Sequence, residues 1–210
     1  MKLTLFLIFL CVVGFIFPIL FVADLENFAN VYGFSGKNLF ERPYVLVTSI
    51  FLHADITHLL SNILVLFFFG IAVESELGKK KTLAIFFLGA FLGDLLSLLV
   101  YPPDAIAIGA SGGIFALIGA GILVRPLDLS FYPLVLPIPL ALIGLMYAFY
   151  NAYDFMFAPE SNISYIAHFG GLFVGLLYGF RREGVRKSLK IILLFFAIMI
   201  LIPILWTILF

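Results

Sequence analysis

The sequence predicts an all-α, polytopic membrane helical bundle: a six-span core with one further C-terminal span. Two properties predict it. Hydrophobic residues make up 64% of the 210 and charged residues 11%, with a mean hydropathy of +1.21. A soluble domain runs near about 45–50% apolar and about 25% charged. Apolar runs close to the roughly 20 residues of a membrane span also recur along the chain, and they are continuous rather than alternating, which excludes the strands of a membrane barrel. The same composition excludes disorder. Twelve Lys and Arg balance twelve Asp and Glu, so no nucleic acid partner is expected. The single cysteine, Cys11, excludes an internal disulfide and a Cys-rich metal site. The three histidines form no ligand-spaced cluster with Cys or carboxylate, and neither a metal nor a cofactor is expected.

The runs fall at about 3–22, 56–73, 82–101, 109–124, 132–151, 164–180 and 188–209. The first follows Lys2 and is interrupted by Pro18. It exceeds the roughly 7–15 residues of a signal-peptide core, so it reads as a retained span. The stretch 23–55 contains Leu25, Phe28, Tyr32, Phe34, Phe40 and Tyr44. That is too apolar for a solvated linker and is expected in the bilayer interface or against the bundle. The fourth run is the shortest, as in a helix that begins inside the membrane or crosses a locally thinned bilayer. Residues 181–190 carry five basic side chains. They divide a core at 1–181 from a basic linker and appended seventh helix at 182–210.

The charges orient the chain. With a cytoplasmic N-terminus, Lys2, Lys79, Lys80, Lys81, Arg125, Arg181, Arg182, Arg186, Lys187 and Lys190 lie inside. Only Lys37 and Arg42 lie outside. This is the positive-inside pattern, and it puts the C-terminus outside, with a cell membrane as the expected location.

Polar side chains within spans carry the functional information. His58 and Asn62 lie near the start of the second run, Ser111 at the start of the fourth, His168 near the start of the sixth, Asp94 in the third, and Tyr147 and Asn151 in the fifth. The second, fourth and sixth runs enter from the same face. Ser111 and His168 lie roughly 3 and 6 Å below their helix ends at 1.5 Å per residue. His58 and Asn62, at i and i+4, share one helix face, and Asp55 is placed to cap that helix. Ser111 stands in Gly109-Ala110-Ser111-Gly112-Gly113, where glycines leave its hydroxyl uncovered and a helix N-terminus offers free amides. His168 is followed by Gly171, Gly175 and Gly179, and the fourth run offers Gly112, Ala116 and Ala120. Pressed together, these small-residue faces bring Ser111 to His168.

A serine needs a base to become a nucleophile, and histidine titrates in the right range. His58, Asn62 and the Ser111 amide are candidate donors to an acyl-transfer oxyanion. No carboxylate is evident to orient the histidine. Each feature alone has a plainer reading: a packing serine, a partnered histidine, a helix-to-helix hydrogen bond. Their combination at matched depth favours chemistry.

Three motifs in order resemble those of the rhomboid intramembrane serine proteases. His53-Ala54-Asp55-Ile56-Thr57-His58-Leu59-Leu60-Ser61-Asn62 resembles H-x4-H-x3-N, Gly109-Ala110-Ser111-Gly112 resembles GxSG, and Ala167-His168-Phe169-Gly170-Gly171-Leu172-Phe173-Val174-Gly175 resembles AHxxGxxxG. Val73-Glu74-Ser75-Glu76-Leu77-Gly78 is similar to the family's stretch after its second span. The resemblance covers about residues 45–180. It implies Ser111 as nucleophile and His168 as general base, a dyad without an acid. It implies His58, Asn62 and the Ser111 amide as the oxyanion hole, supported by Gly109, Gly112, Gly171 and Gly175. Phe115 falls where the family often has a tyrosine stacked on the histidine. The gating span and loop would be about 132–151 and 152–163. Arg42-Pro43-Tyr44-Val45 departs from the Trp-Arg pair of many members, and the seventh span is found in only some.

The expected activity is therefore an intramembrane serine endopeptidase that cuts transmembrane segments of other membrane proteins near the outer face, with those proteins and the lipid bilayer as partners. Two rivals are a non-catalytic relative that binds membrane helices, and a transporter or proton channel using Asp94 and the histidines. Asp94 is expected to bond Ser97 or a backbone group, or to sit protonated, and is left outside the site.

Overall fold

The structure, a computed structural model, describes residues 1–129, 138–157 and 164–209. Among them are ten helices and no strand: α1 (Lys2–Phe21), α2 (Leu25–Tyr32), α3 (Gly36–Glu41), α4 (Val45–Phe51), α5 (Ile56–Leu77), α6 (Lys79–Ser97), α7 (Ser111–Val124), α8 (Leu140–Phe157), α9 (Tyr165–Glu183) and α10 (Val185–Leu209). α1 and α5 to α10 take the seven expected spans. Of these, α1, α5, α8 and α10 are long and apolar enough to cross a membrane by length and composition, while α7 is a shorter apolar helix. α6 opens on three lysines and α9 ends on Arg181, Arg182 and Glu183.

The fifth span is the largest correction. It was expected at 132–151, but the helix runs from Leu140 to Phe157. The expected start, 132–137, lies outside the described residues. Apolar content alone ignores Pro139, which stands immediately before α8; proline has no amide to donate and obstructs the preceding turn. At the other end the helix continues through Asp154, in the stretch expected to be loop. Of that expected loop, 158–163 lies outside the described residues. The third span also shifts, from 82–101 to Lys79–Ser97. Gly78, at φ +76°, turns the chain so that α6 starts on the lysines.

The expected interfacial stretch folds into α2, α3 and α4. Asp24 and Ser35 cap α2 and α3 through the amides of Asn27 and Asn38, at 2.9 and 3.1 Å. α4 packs on α1 and α6 and buries Val45, Ser49 and Ile50. Phe40 and Tyr44 stay exposed. The stretch thus packs against the bundle through α4.

α7 is the central helix. Every residue from Gly112 to Val124 is buried, against α5, α6, α8, α9 and α10. A helix apolar all round belongs in such a position. Lipid removes the hydrophobic drive between helices, so close backbone approach must hold them. The α7–α9 seam shows that approach. A Cβ on Gly171 would stand 1.9 Å from the Gly112 carbonyl oxygen, and one on Gly175 would stand 2.0 Å from that of Ala116.

The helices are held level at one end by charge. Glu76 near the end of α5 pairs with Arg182 of α9 at 2.7 Å and with Arg125 after α7 at 3.8 Å. Nearby, Glu74 accepts from the Leu3 and Thr4 amides and the Thr4 hydroxyl, at 3.1, 2.8 and 2.8 Å, and so fastens α1 to α5. Fourteen residues back from Glu76, Arg125 and Arg182 stand Asn62, Ser111 and His168. Fourteen residues of helix rise about 21 Å. The three polar residues thus reach one level, short of the roughly 30 Å of a hydrocarbon core. α10 lies at the periphery. Ser188 and Phe195 are its buried residues among those described.

Candidate active site

Ser111 is the first residue of α7, so its amide has no partner four residues back in the helix. The approach to it is set by Gly109, whose amide donates to the Ser49 carbonyl at 2.9 Å. Gly109 has φ +122°, and a Cβ there would lie 2.8 Å from Cε1 and Nε2 of His58. Only glycine meets both conditions.

His58 enters from the first turn of α5. Asp55 caps that turn, accepting from the His58 amide at 2.8 Å and the Thr57 hydroxyl at 2.5 Å. These bonds, the Thr57 hydroxyl first, hold the Asp55 carboxyl below its usual range. The His53 ring stands edge-on to that of His58, centroids 5.0 Å apart. Burial pushes the His53 imidazole down to about 4, and neighbouring His58 adds to the shift. His53 is therefore neutral, with Nδ1 3.3 Å from the Phe51 carbonyl, to which it donates. One turn beyond His58, Asn62 is buried. Its Nδ2 has no partner among the described residues and lies 3.7 Å from where a Cβ on Gly109 would be.

His168 projects from the first turns of α9. Its Nε2 lies 2.8 Å from Ser111 Oγ. The Phe115 ring stacks on its face, centroids 4.3 Å apart and planes 10° from parallel. Tyr165 meets it edge-on at 6.3 Å. Ser111, His168, His58, Asn62, Gly109, Gly112 and Phe115 all line one cavity of about 950 Å³. Gly171 and Gly175 lie in the helix seam and set how closely α9 approaches α7. This arrangement places a hydroxyl on a ring nitrogen, beside an unused amide donor and the start of a helix.

The family model for the Rhomboid domain matches residues 41–184. The chain belongs to the rhomboid family. It is 31% identical over 149 residues to RHOMBOID-like protein 7 of Arabidopsis thaliana, covering 69% of this chain and 45% of that protein. It is 29% identical over 176 residues to RHOMBOID-like protein 12, mitochondrial, of the same plant, covering 75% of this chain and 48% of that one. Rhomboid-like protease 3 of Toxoplasma gondii is 42% identical over 74 residues, 35% of this chain and 28% of that protein. The chain spans less than half the length of each of these relatives. The rhomboid match runs over α4 to α9 and contains every candidate site residue. The protein is thus an integral, multi-pass membrane protein with a rhomboid domain.

Two features of this rhomboid site add to what the sequence suggests. Asn151 of α8 presents Oδ1 2.6 Å from His168 Nδ1. The sequence marks it as a polar residue at the end of a span. It shows an amide side chain inside an apolar run but not which helix that amide faces. Asp94 also lines the cavity. Ser97 donates instead to the Gly93 carbonyl at 3.0 Å and meets the Ser164 hydroxyl at 2.9 Å, and Asp94 Oδ2 is buried without a partner among the described residues.

Proposed function

We propose that the protein is an intramembrane serine endopeptidase that cleaves transmembrane segments of other membrane proteins. The observation that carries this reading is the 2.8 Å contact between Ser111 Oγ and His168 Nε2, inside a cavity that also holds the unpaired Asn62 donor. Ser111 Oγ attacks the scissile carbonyl carbon while its proton passes to His168 Nε2. The carbonyl oxygen becomes an oxyanion, stabilised by His58, Asn62 Nδ2 and the Ser111 amide. The intermediate collapses as His168 returns the proton to the leaving amine, and the C–N bond breaks. Water, deprotonated by His168, then attacks the acyl ester, and Ser111 leaves with the proton.

The cytoplasmic end is the one carrying Lys79, Lys80, Lys81, Arg125, Arg181 and Arg182, by the positive-inside rule. The site then lies toward the outer face of a cell membrane, where the cut is made. Residues 1–181 form the catalytic core, and 182–210 the appended seventh helix, with the N-terminus cytoplasmic and the C-terminus outside.

The test is cleavage of a generic transmembrane substrate in proteoliposomes, wild type beside Ser111→Ala and His168→Ala, with fragments read by mass spectrometry. Fragments made by wild type and absent from both variants support the reading. Equal cleavage by Ser111→Ala overturns it.

A further inference from the structure

We propose that Asn151 is a positioning residue that fixes His168 in the tautomer a general base requires; this rests on the protease reading above. A neutral imidazole carries one N–H and one lone pair. To take a proton from Ser111, His168 must keep its lone pair on Nε2 and its hydrogen on Nδ1. Asn151 Oδ1 stands 2.6 Å from Nδ1. Which end of the amide faces the ring follows from its other contact among the described residues, in which Asn151 Nδ2 donates to the Tyr165 carbonyl at 3.5 Å. A carbonyl only accepts, so the NH2 group faces Tyr165 and the oxygen faces the imidazole. Nδ1 then donates, and Nε2 is left to accept from Ser111. With the amide reversed, Nε2 would carry the hydrogen and could take no proton from Ser111.

The surroundings leave this job to Asn151. The Phe115 stack fixes the plane of the imidazole, but a half-turn about Cβ–Cγ, which exchanges Nδ1 with Cδ2 and Nε2 with Cε1, keeps that plane. The bonds at Nδ1 and Nε2 fix which way round the ring sits. Asn151 is 3% exposed, where an ionised carboxylate would carry a large desolvation cost and a neutral amide a small one. One turn further along α8, Asp154 accepts from the Tyr165 hydroxyl at 3.4 Å. α8 therefore holds the first turn of α9 at the points that border His168.

The test uses the full chain in lipid bilayers. Nitrogen-15 NMR of labelled histidine reads the tautomer, with His168→Gln identifying the His168 signals. We expect neutral His168 to be protonated at Nδ1 in the wild type. In Asn151→Leu, which keeps the volume and removes the acceptor, that tautomer declines. Its kcat falls about tenfold or more, with KM changed by less than about twofold. Asn151→Asp keeps an acceptor oxygen, and restores both the tautomer and activity relative to Asn151→Leu. A wild-type His168 protonated at Nε2 overturns the proposal, whether or not any variant folds. So does a kcat loss in Asn151→Leu with the tautomer unchanged, or no kcat loss at all. Ser111→Ala run in parallel separates the two readings: cleavage persisting there refutes the protease, while the wild-type tautomer still decides the role of Asn151.

Discussion

Replacing Gly171 with alanine tests whether the spacing of α7 and α9 sets the chemistry. The added Cβ would stand 1.9 Å from the Gly112 carbonyl oxygen, where ordinary contact begins near 3.4 Å. Both atoms are fixed by backbone, so no side chain can turn aside. The helices must part by about 1.5 Å, and overpacking of this kind costs about 1–3 kcal/mol. Gly112 follows Ser111 and Gly171 lies one turn past His168, so the separation passes almost undiminished to the site. The 2.8 Å contact between Ser111 and His168 would open to about 4 Å, beyond hydrogen-bond range. A misplacement of that size costs about 100-fold in rate. The assay is cleavage in proteoliposomes beside thermal unfolding. Phe173→Ala, on the same helix but 59% exposed, serves as control and should stay near wild type. A Gly171→Ala enzyme with at least half of wild-type activity and an unchanged Tm would refute the reasoning.

Asn62→Ala should lower kcat about 100-fold by removing the oxyanion donor proposed above. Its Tm should not fall, because the amide lost is one that lies buried and unpaired; a Tm loss without a kcat loss would contradict this, as read by kinetics beside thermal unfolding. Glu76→Gln releases ion pairs whose side chains are 30–41% exposed, so unfolding should show a loss of about 1 kcal/mol or less, smaller in high salt. A loss above about 3 kcal/mol would mark the cluster as a buried one instead. His53 is neutral in the fold, its imidazole pushed down to about 4 by burial. Its lowered value means that stability is complete above the ordinary histidine range and declines as pH falls from about 6.5 toward 4, where only the unfolded chain takes up the proton. Melting curves across that window should fall less steeply in His53→Gln than in wild type.

Much of the bundle was legible because a membrane span is a composition signal. α1, α5, α6, α7, α9 and α10 start within three residues of where the apolar runs begin. α8 starts later than its apolar run because hydropathy ignores prolines, and Pro139 stands directly before it. The short helices α2 to α4 are not legible in the sequence because each is too brief to show a helical period. In the site, the depth match of Asn62, Ser111 and His168 was readable from spacing, since helix rise converts residue number into distance. The Gly171 and Gly175 approach was readable as a pattern of small residues, although its tightness was not. Asn151 was not readable as a partner of His168. That contact is made between two helices whose relative rotation no local pattern encodes.

The ion cluster at Glu76 has a consequence for how such a chain can vary. It acts as the zero mark of a gauge, and the site is reached by counting upward from it along three rods. One residue inserted in α5 between Asn62 and Glu76 would turn the segment beyond it by about 100° and lift it by about 1.5 Å. Asn62 would then leave the cavity while the ion pairs stayed whole. The same holds for α7 and α9. Insertions between α6 and α7, or past Gly184, disturb neither count nor phase. Length changes compatible with the site are therefore confined to the loops and to the periphery, and the three rods below the site cannot gain or lose a single residue independently of one another.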